Sequence, residues 1–431
     1  MYEFHPYFTN DGSVGLYNTD FKDIYHSATG ALTEAYEKFI YPVNFEHLLS
    51  HKSIKVLDIC YGIGYNTKSF LNFLFEKKFG KIKSQNFSKK IFFSEPNIVP
   101  IYTNNISNSN REILSVHNDT IHTNNALEKQ RHKIYIKAVD TDKILSYLSP
   151  FVRTGVKNFK NENLDFEHNK IDKYLTERDR VQAPKINNLI NFLLLEKIIE
   201  NNPEIFDNED FINILNSNKF AQYFDPFIRW YFNDLKSNMY KVKALDNPIA
   251  FLHNIYYRNV SKSYKNDLKT YSLCDINFEL KNDDARKIIL QDDNLYNLIF
   301  LDAFTPSKCP CLWSYEFFKL LFEHLECDGM ILTYSTSASI RNAMLEAGFE
   351  IGYVYNERLN KYTGTIATKD KELIKYPLAE FDLGLLKTKA GIFYRDENLT
   401  SLNEAILDRR NQEVKNSTLM STSHYNKLNK S

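Results

Sequence analysis

The chain predicts a doubly wound α/β domain with a mainly parallel sheet, and two observations carry that expectation. First, the stretches 56–66 and 298–308 each read as a buried strand that ends in a loop bearing polar groups. Second, strand and helix patterns alternate through the last third of the chain, which is the order that builds parallel sheets. In such sheets ligands sit outside the carboxyl ends of the strands.

Each element follows from its local pattern. Residues 1 to about 50 are polar and turn-rich, with a helix expected at 32–40 between Gly30 and Pro42, and form a lid or flap segment. Residues 51–99 open the core: a strand at 54–59, a helix at 67–79 with apolar residues at helical spacing, and a second strand at 90–94 closed by Glu95-Pro96. Across 100–265 strand signals fade, Asn- and Ser-rich stretches appear, and a helix at 186–199 predicts a mostly helical insertion. The core resumes over 266–400, with strands at 276–282, 298–301, 330–334, 351–355 and 365–368. Helices at 314–325 and 339–347 lie between them. The last segment, 401–431, reads as one charged helix followed by a disordered tail.

With 431 residues and 43% hydrophobic content the chain can bury a large core. Basic and acidic residues balance at 54 each, so no whole-chain charge marks a nucleic-acid binder, and a local basic face stays open. The five cysteines include one Cys-x-Cys and imply no disulfide framework. Neither a secretory leader nor a run of eighteen apolar residues occurs, and a cytoplasmic protein without a membrane partner is expected.

The chemistry is concentrated at strand ends. After the first strand come Asp58, Gly62, Gly64 and Asn66, but Thr67 stands where a dinucleotide fingerprint needs glycine, and no P-loop is present. Alone, such a turn also fits a purely structural βα connection. An acid followed by glycines four and six residues later has the spacing of S-adenosylmethionine pockets. Glu95 at the second strand's end could accept both ribose hydroxyls, or could be a solvated strand-end acid. Asp283 and Asp284 could accept from an adenine amino group, and equally could cap the helix that follows.

Asp302, after four consecutive apolar residues, is the candidate for the reaction. A buried carboxylate needs a designated partner, and one beside an amine can orient its N–H groups and take its proton. Trp313, Phe304 and Tyr334 could stack on a base, although for each a place in the core is the commoner role. The Pro310-Cys311 pair resembles the nucleophile loop of pyrimidine C5-methyltransferases, and a Cys-x-Cys metal clip lacks a partner pair, so no metal is expected.

Asp302 through Trp313 resembles the D-G-F-A-P-x-K-N-P-x-x-W signature of the methyltransferase half of the bacterial MnmC family, Lys308 and Trp313 included. Phe21 through Ser27, with Gly30 and Glu34, is similar to the family's F-D-D-V-Y-F-S…G-x-x-E segment, and residues 329–349, with Arg341 inside, to a further run. Cys60, Ala303 and Cys309 depart from the pattern, and the family's basic stretch is reduced to residues 360–365.

The resemblance, over roughly 12–98 and 270–368, implies a class I (Rossmann-like) methyltransferase. Its cofactor would be S-adenosyl-L-methionine and its substrate the aminomethyl group of a wobble uridine in tRNA, exposed by an upstream tRNA-modifying enzyme. It also implies cofactor roles for Glu34, Asp58, Asn66, Glu95 and Asp284, and a substrate-side role for Arg341. No dinucleotide fingerprint follows residue 368, so a methyltransferase without the FAD oxidase half is expected. Alternatives are another transferase on this fold, such as an aminopropyl transferase or a C5-methyltransferase using Cys311, and a non-catalytic RNA- or protein-binding module.

Overall fold

The computed structural model describes residues 2–20, 22–25, 30–79, 132–157, 186–242 and 274–429. The chain begins with a small antiparallel sheet of β1 (His5–Phe8), β2 (Val14–Asn18) and β3 (Asp23–Ile24). Two short helices follow: α1 (Ala31–Ala35), continued by a π turn at Tyr36–Ile40, and α2 (Phe45–Leu48).

The main sheet comprises β4 (Ser53–Ile59), β5 (His132–Val139), β6 (Cys274–Lys281), β7 (Tyr296–Leu301), β8 (Leu325–Thr333), β9 (Glu350–Asn356) and β10 (Lys361–Thr368). Its spatial order is β6-β5-β4-β7-β8-β10-β9. Strands β6 through β8 pair in parallel, whereas β10 runs antiparallel to both β8 and β9. This is the mainly parallel Rossmann-like sheet that the sequence predicts.

Chain order reverses between β4 and β7. From β4 the chain proceeds outward through β5 to the edge strand β6, then returns to pair β7 with β4, Ile59 opposite Leu301. A crevice at the carboxyl ends of these two strands is the topological consequence. The run Tyr296–Leu301 is buried at every position, as expected of a central parallel strand covered on both faces.

Helix α3 (Tyr65–Phe79) follows β4. The expected strand at 90–94, with Glu95, lies outside the described residues. Besides β7, β4 pairs with β5, inside the stretch 100–265 read as a helical insertion. Its buried alternation of Ile134, Ile136 and Ala138 is a strand signal, but flanking Asn-rich sequence obscures it. The helices Asn188–Asn201, Glu209–Asn216 and Pro226–Val242 bury their apolar side chains in the same cluster as β4 and β5, so they cover the sheet.

The tail corrects another expectation. Beyond the charged helix Asn403–Asn416 a second helix, Thr422–Asn429, is formed instead of a disordered tail, because Tyr425 packs its ring on Phe381 and donates to that residue's carbonyl at 3.0 Å. Among the described residues, no helix is long and apolar enough to cross a membrane.

Arg286 ties this carboxyl-terminal region to the sheet. Its guanidinium reaches Asp284 and the fully buried Asp396, each at 2.6 Å, and donates to the Ser401 carbonyl at 2.9 Å. Removing one member of a buried ion pair leaves the other uncompensated. Asp396→Ala is expected to cost on the order of 3 kcal/mol, read as a lower urea midpoint with an unchanged slope. An unaltered midpoint would show that Arg286 is no tether.

Candidate active site

A cavity of about 790 Å³ opens where the topology places it. Its wall is built from residues just beyond the strands: Cys60 after β4, Asp140 after β5, Asp283 and Asp284 after β6, Asp302 after β7 and Tyr334 after β8.

The loop after β4 turns sharply through left-handed backbone at Cys60 (φ 64°), Gly62 (φ 53°) and Gly64 (φ 74°). The N–H groups of Cys60 and Tyr61 both donate to the Val139 carbonyl, at 2.9 and 3.1 Å, which lashes the turn to the end of β5. At Gly64 a β-carbon would lie 2.5 Å from the Tyr61 hydroxyl, so glycine is required by space as well as by φ. Gly62 faces the cavity and donates its N–H to the Asp140 carboxylate at 2.7 Å.

Asp140 is the acid that sequence reasoning missed. It ends the strand beside β4, the position assigned to Glu95, and its signal was available in the run His132–Val139 that leads to it. Burial pushes its pKa up to about 6, opposed by the N–H donors of Asp142 and Gly62.

Asp302 lies across the crevice and accepts a hydrogen bond from Asn66 Nδ2 at 3.0 Å, so the first turn of α3 and the end of β7 meet in the cavity. Burial, helped by the nearby charge of Glu34, raises its pKa to about 7 against the Asn66 donor. Glu34 itself lines the cavity and pairs with Lys38 one helical turn on.

The remaining candidates divide by location. Gly62, Asn66, Glu34, Asp283, Asp284 and Phe304 are on the wall. Asp58 is not: it is fully buried beneath the loop, where its carboxylate accepts from Thr67 Oγ1 at 2.7 Å and burial lifts its pKa to about 7. Gly64 likewise shapes the loop from behind. Asp284 caps the helix Ala285–Leu290 by accepting from Arg286 N–H at 2.9 Å, the capping alternative, while still facing the cavity.

Trp313 is fully buried and donates Nε1–H to the Phe304 carbonyl at 2.8 Å, so it fixes the loop after β7 and does not line the cavity. Arg341 is buried away from the wall, bonded to Thr365 at 3.0 Å and Asp382 at 2.9 Å with the Tyr353 ring 4.9 Å from it, because helix Ala338–Glu346 turns that side chain into the β10 face. Lys308 pairs with Asp23 at 2.8 Å, off the cavity wall.

The amino-terminal segment crosses the cavity mouth through that pair, through the Tyr25 ring 4.9 Å from Phe304, and through the Tyr2 hydroxyl, which donates to Asp142. Cys309 and Cys311 also reach the wall as free thiols, their sulfurs 3.7 Å apart. Cys309 and the Arg286 charge draw the Cys311 pKa down.

The electrostatics are one-sided. Carboxylates at Asp20, Asp23, Glu34, Asp140, Asp142, Asp283, Asp284 and Asp302 face Lys143 and Arg286. Of these acids, Asp20, Asp140, Asp142 and Asp302 have no ion-pair partner among the described residues. Such a wall suits a cationic ligand.

Residues 247–369 match a family described as S-adenosyl-L-methionine-dependent methyltransferase. The uncharacterized protein MJ0670 of Methanocaldococcus jannaschii is 30% identical over 159 residues, which is 34% of this chain and 44% of that protein. The tRNA 5-methylaminomethyl-2-thiouridine biosynthesis bifunctional protein MnmC of Azoarcus sp. is 37% identical over 68 residues, 16% of this chain and 11% of that one. The chain thus spans less than half the length of these curated relatives. In fold, the crystal structure of MNMC2 from Aquifex aeolicus corresponds with a TM-score of 0.53 at 19% identity, over 97% of this chain and 87% of that one. The matched segment is thus similar to S-adenosyl-L-methionine-dependent methyltransferases, and the fold corresponds to that of MNMC2.

Proposed function

We propose that this chain methylates the exocyclic amine of 5-aminomethyl-(2-thio)uridine at the wobble position of tRNA, with S-adenosyl-L-methionine as donor. The observation that carries the reading is Asp302: a carboxylate on the cavity wall, oriented by Asn66, whose pKa stands at about 7. The name of the Azoarcus relative supports a modified tRNA uridine as the substrate class.

The residues fit the donor. Its sulfonium and ammonium charges match an acid-lined cavity, on whose wall Asp140 would accept ribose hydroxyls and Asp283 and Asp284 would accept from the adenine amino group. Gly62 leaves open space, since a β-carbon there meets nothing closer than 3.9 Å. When bound, the cofactor supplies an electrophilic methyl group.

The chain's own work is orientation and proton handling. An amine attacks only when neutral, and a carboxylate with a pKa near 7 is ionised enough to accept the proton and basic enough to hold it. Asn66 keeps one oxygen fixed, which leaves the other for the amine N–H. The cavity wall around Phe304 and Tyr334, whose hydroxyl donates to the Ala303 carbonyl at 2.8 Å, gives the flat surface on which a pyrimidine would lie. The amine itself would come from an upstream enzyme that removes whatever group masks it.

A second reading rests on Cys311, whose lowered pKa and cavity position would suit attack on a pyrimidine ring.

Purified protein should methylate hypomodified tRNA, and Asp302→Asn should lower turnover by about 10²- to 10⁴-fold with cofactor affinity retained in calorimetry. In the native enzyme kcat/KM should rise with pH through about 7, as Asp302 loses its proton, and the variant should lack that limb. Cys311→Ser should leave turnover within a few-fold of the native rate, whereas abolition would favour the thiol mechanism. Asp140→Asn should weaken cofactor binding by roughly tenfold, about 1.4 kcal/mol, because one ribose acceptor and the clasp on Gly62 are both impaired. Mass spectrometry of wobble nucleosides from cells without the protein should reveal the unmethylated aminomethyl species, and a normal nucleoside profile would refute the assignment.

A further inference from the structure

We propose that His47, His51 and Asp328 form a divalent-metal site, of the kind that takes Zn²⁺, which clasps the amino-terminal segment to the sheet. Among the described residues this is the group in which three such donor atoms converge, all within 4.8 Å of one another. Asp328 Oδ2 lies 3.2 Å from His47 Nε2 and 3.0 Å from His51 Nε2. Ligands bound tetrahedrally at about 2.0–2.1 Å from zinc stand roughly 3.3 Å apart, so the side chains need only small shifts to take up an ion.

The hydrogen bonding points the same way. His51 Nδ1 lies 3.3 Å from the His47 carbonyl, and a carbonyl can only accept, so Nδ1 carries a proton. In the neutral ring that leaves the Nε2 lone pair 3.0 Å from a carboxylate oxygen, a repulsive pair unless a proton or a metal ion lies between them. A backbone carbonyl on the distal nitrogen is also how metal-bound histidines are held in the ligating tautomer. His47 Nε2 is buried and makes no hydrogen bond among the described residues, although it lies 3.2 Å from the same oxygen. Two imidazoles and one carboxylate form a nitrogen-rich donor set suited to Zn²⁺, Co²⁺ or Ni²⁺, in preference to Mg²⁺ or Ca²⁺.

The position defines the role. His47 lies in α2 and His51 just beyond it, ahead of β4. Asp328 lies in the first half of β8, whereas Thr333 at the far end of β8 pairs with Leu301 beside the cavity. The metal would therefore sit at the end of the sheet opposite the reaction, joining α2, which leads into β4, to the interior strand β8. The three ligands leave a fourth position to water.

Chelator-treated full-length protein, dialysed against Zn²⁺ alone, is expected to retain one equivalent, to give a tetrahedral Co²⁺ spectrum, and to melt at a higher temperature with metal than without. His51→Gln and Asp328→Asn, conservative in volume, should each weaken Zn²⁺ retention by at least tenfold while the far-ultraviolet dichroism stays native. Equal Zn²⁺ retention in the native protein and the His47→Gln/His51→Gln double variant would overturn the site, because the ion would then be held elsewhere, for example by the cavity acids. So would no retention at all, which would leave a proton-linked histidine–carboxylate cluster. Neither result depends on methyl transfer, so the clasp and the reaction can fail separately.

Discussion

Parallel pairing of β4 with β7 is the constraint from which the site follows. These strands are far apart in sequence, and their register sets Ile59 opposite Leu301, so the glycine turn and the Asp302 loop emerge side by side. Neither loop alone makes a pocket. Because β4 also pairs with β5, the same turn reaches the end of that strand, where Val139 anchors it and Asp140 receives the Gly62 N–H. Three strand ends separated by long stretches of chain thus meet within one crevice, and the burial that holds them together also lifts the pKa values of Asp140 and Asp302.

Much of this was legible in the residues. The fully buried run of β7, the acid after it and the glycine turn after β4 carry local signals strong enough to read, and Asp302, Asn66 and Gly62 line one cavity. What escaped is non-local. Strand β5 has a clear alternation of its own, but only pairing with β4 distinguishes a core strand from an element of an insertion, and with it Asp140 went unrecognised. Trp313 and Arg341 have the chemistry of ligand-binding side chains, but packing turns one under the loop and the other into the β10 face. Their destination depends on tertiary neighbours that no window of sequence contains. The histidine cluster is non-local in the same way: Asp328 is 277 residues from His51.

The amino- and carboxyl-terminal regions share a logic despite lying at opposite ends of the chain. Each is bound at the cavity rim through side-chain contacts: Lys308–Asp23 and Tyr25–Phe304 on one side, Asp284–Arg286–Asp396 on the other. Pairs of this kind, at partly shielded positions, stabilise a particular arrangement of loops more than they stabilise the fold as a whole.

Cys60 shows what such fixation achieves. A residue with a β-carbon at φ 64° pays on the order of 1 kcal/mol or more for that conformation, and it is kept there by two N–H groups that share the Val139 carbonyl. Flexible loops lose freedom when a guest arrives and give up affinity in proportion; a turn already bent and bolted has little left to lose. Strain invested while the polypeptide folds is thereby returned as preorganisation, and the entropic toll of recognition is lowered before any molecule enters.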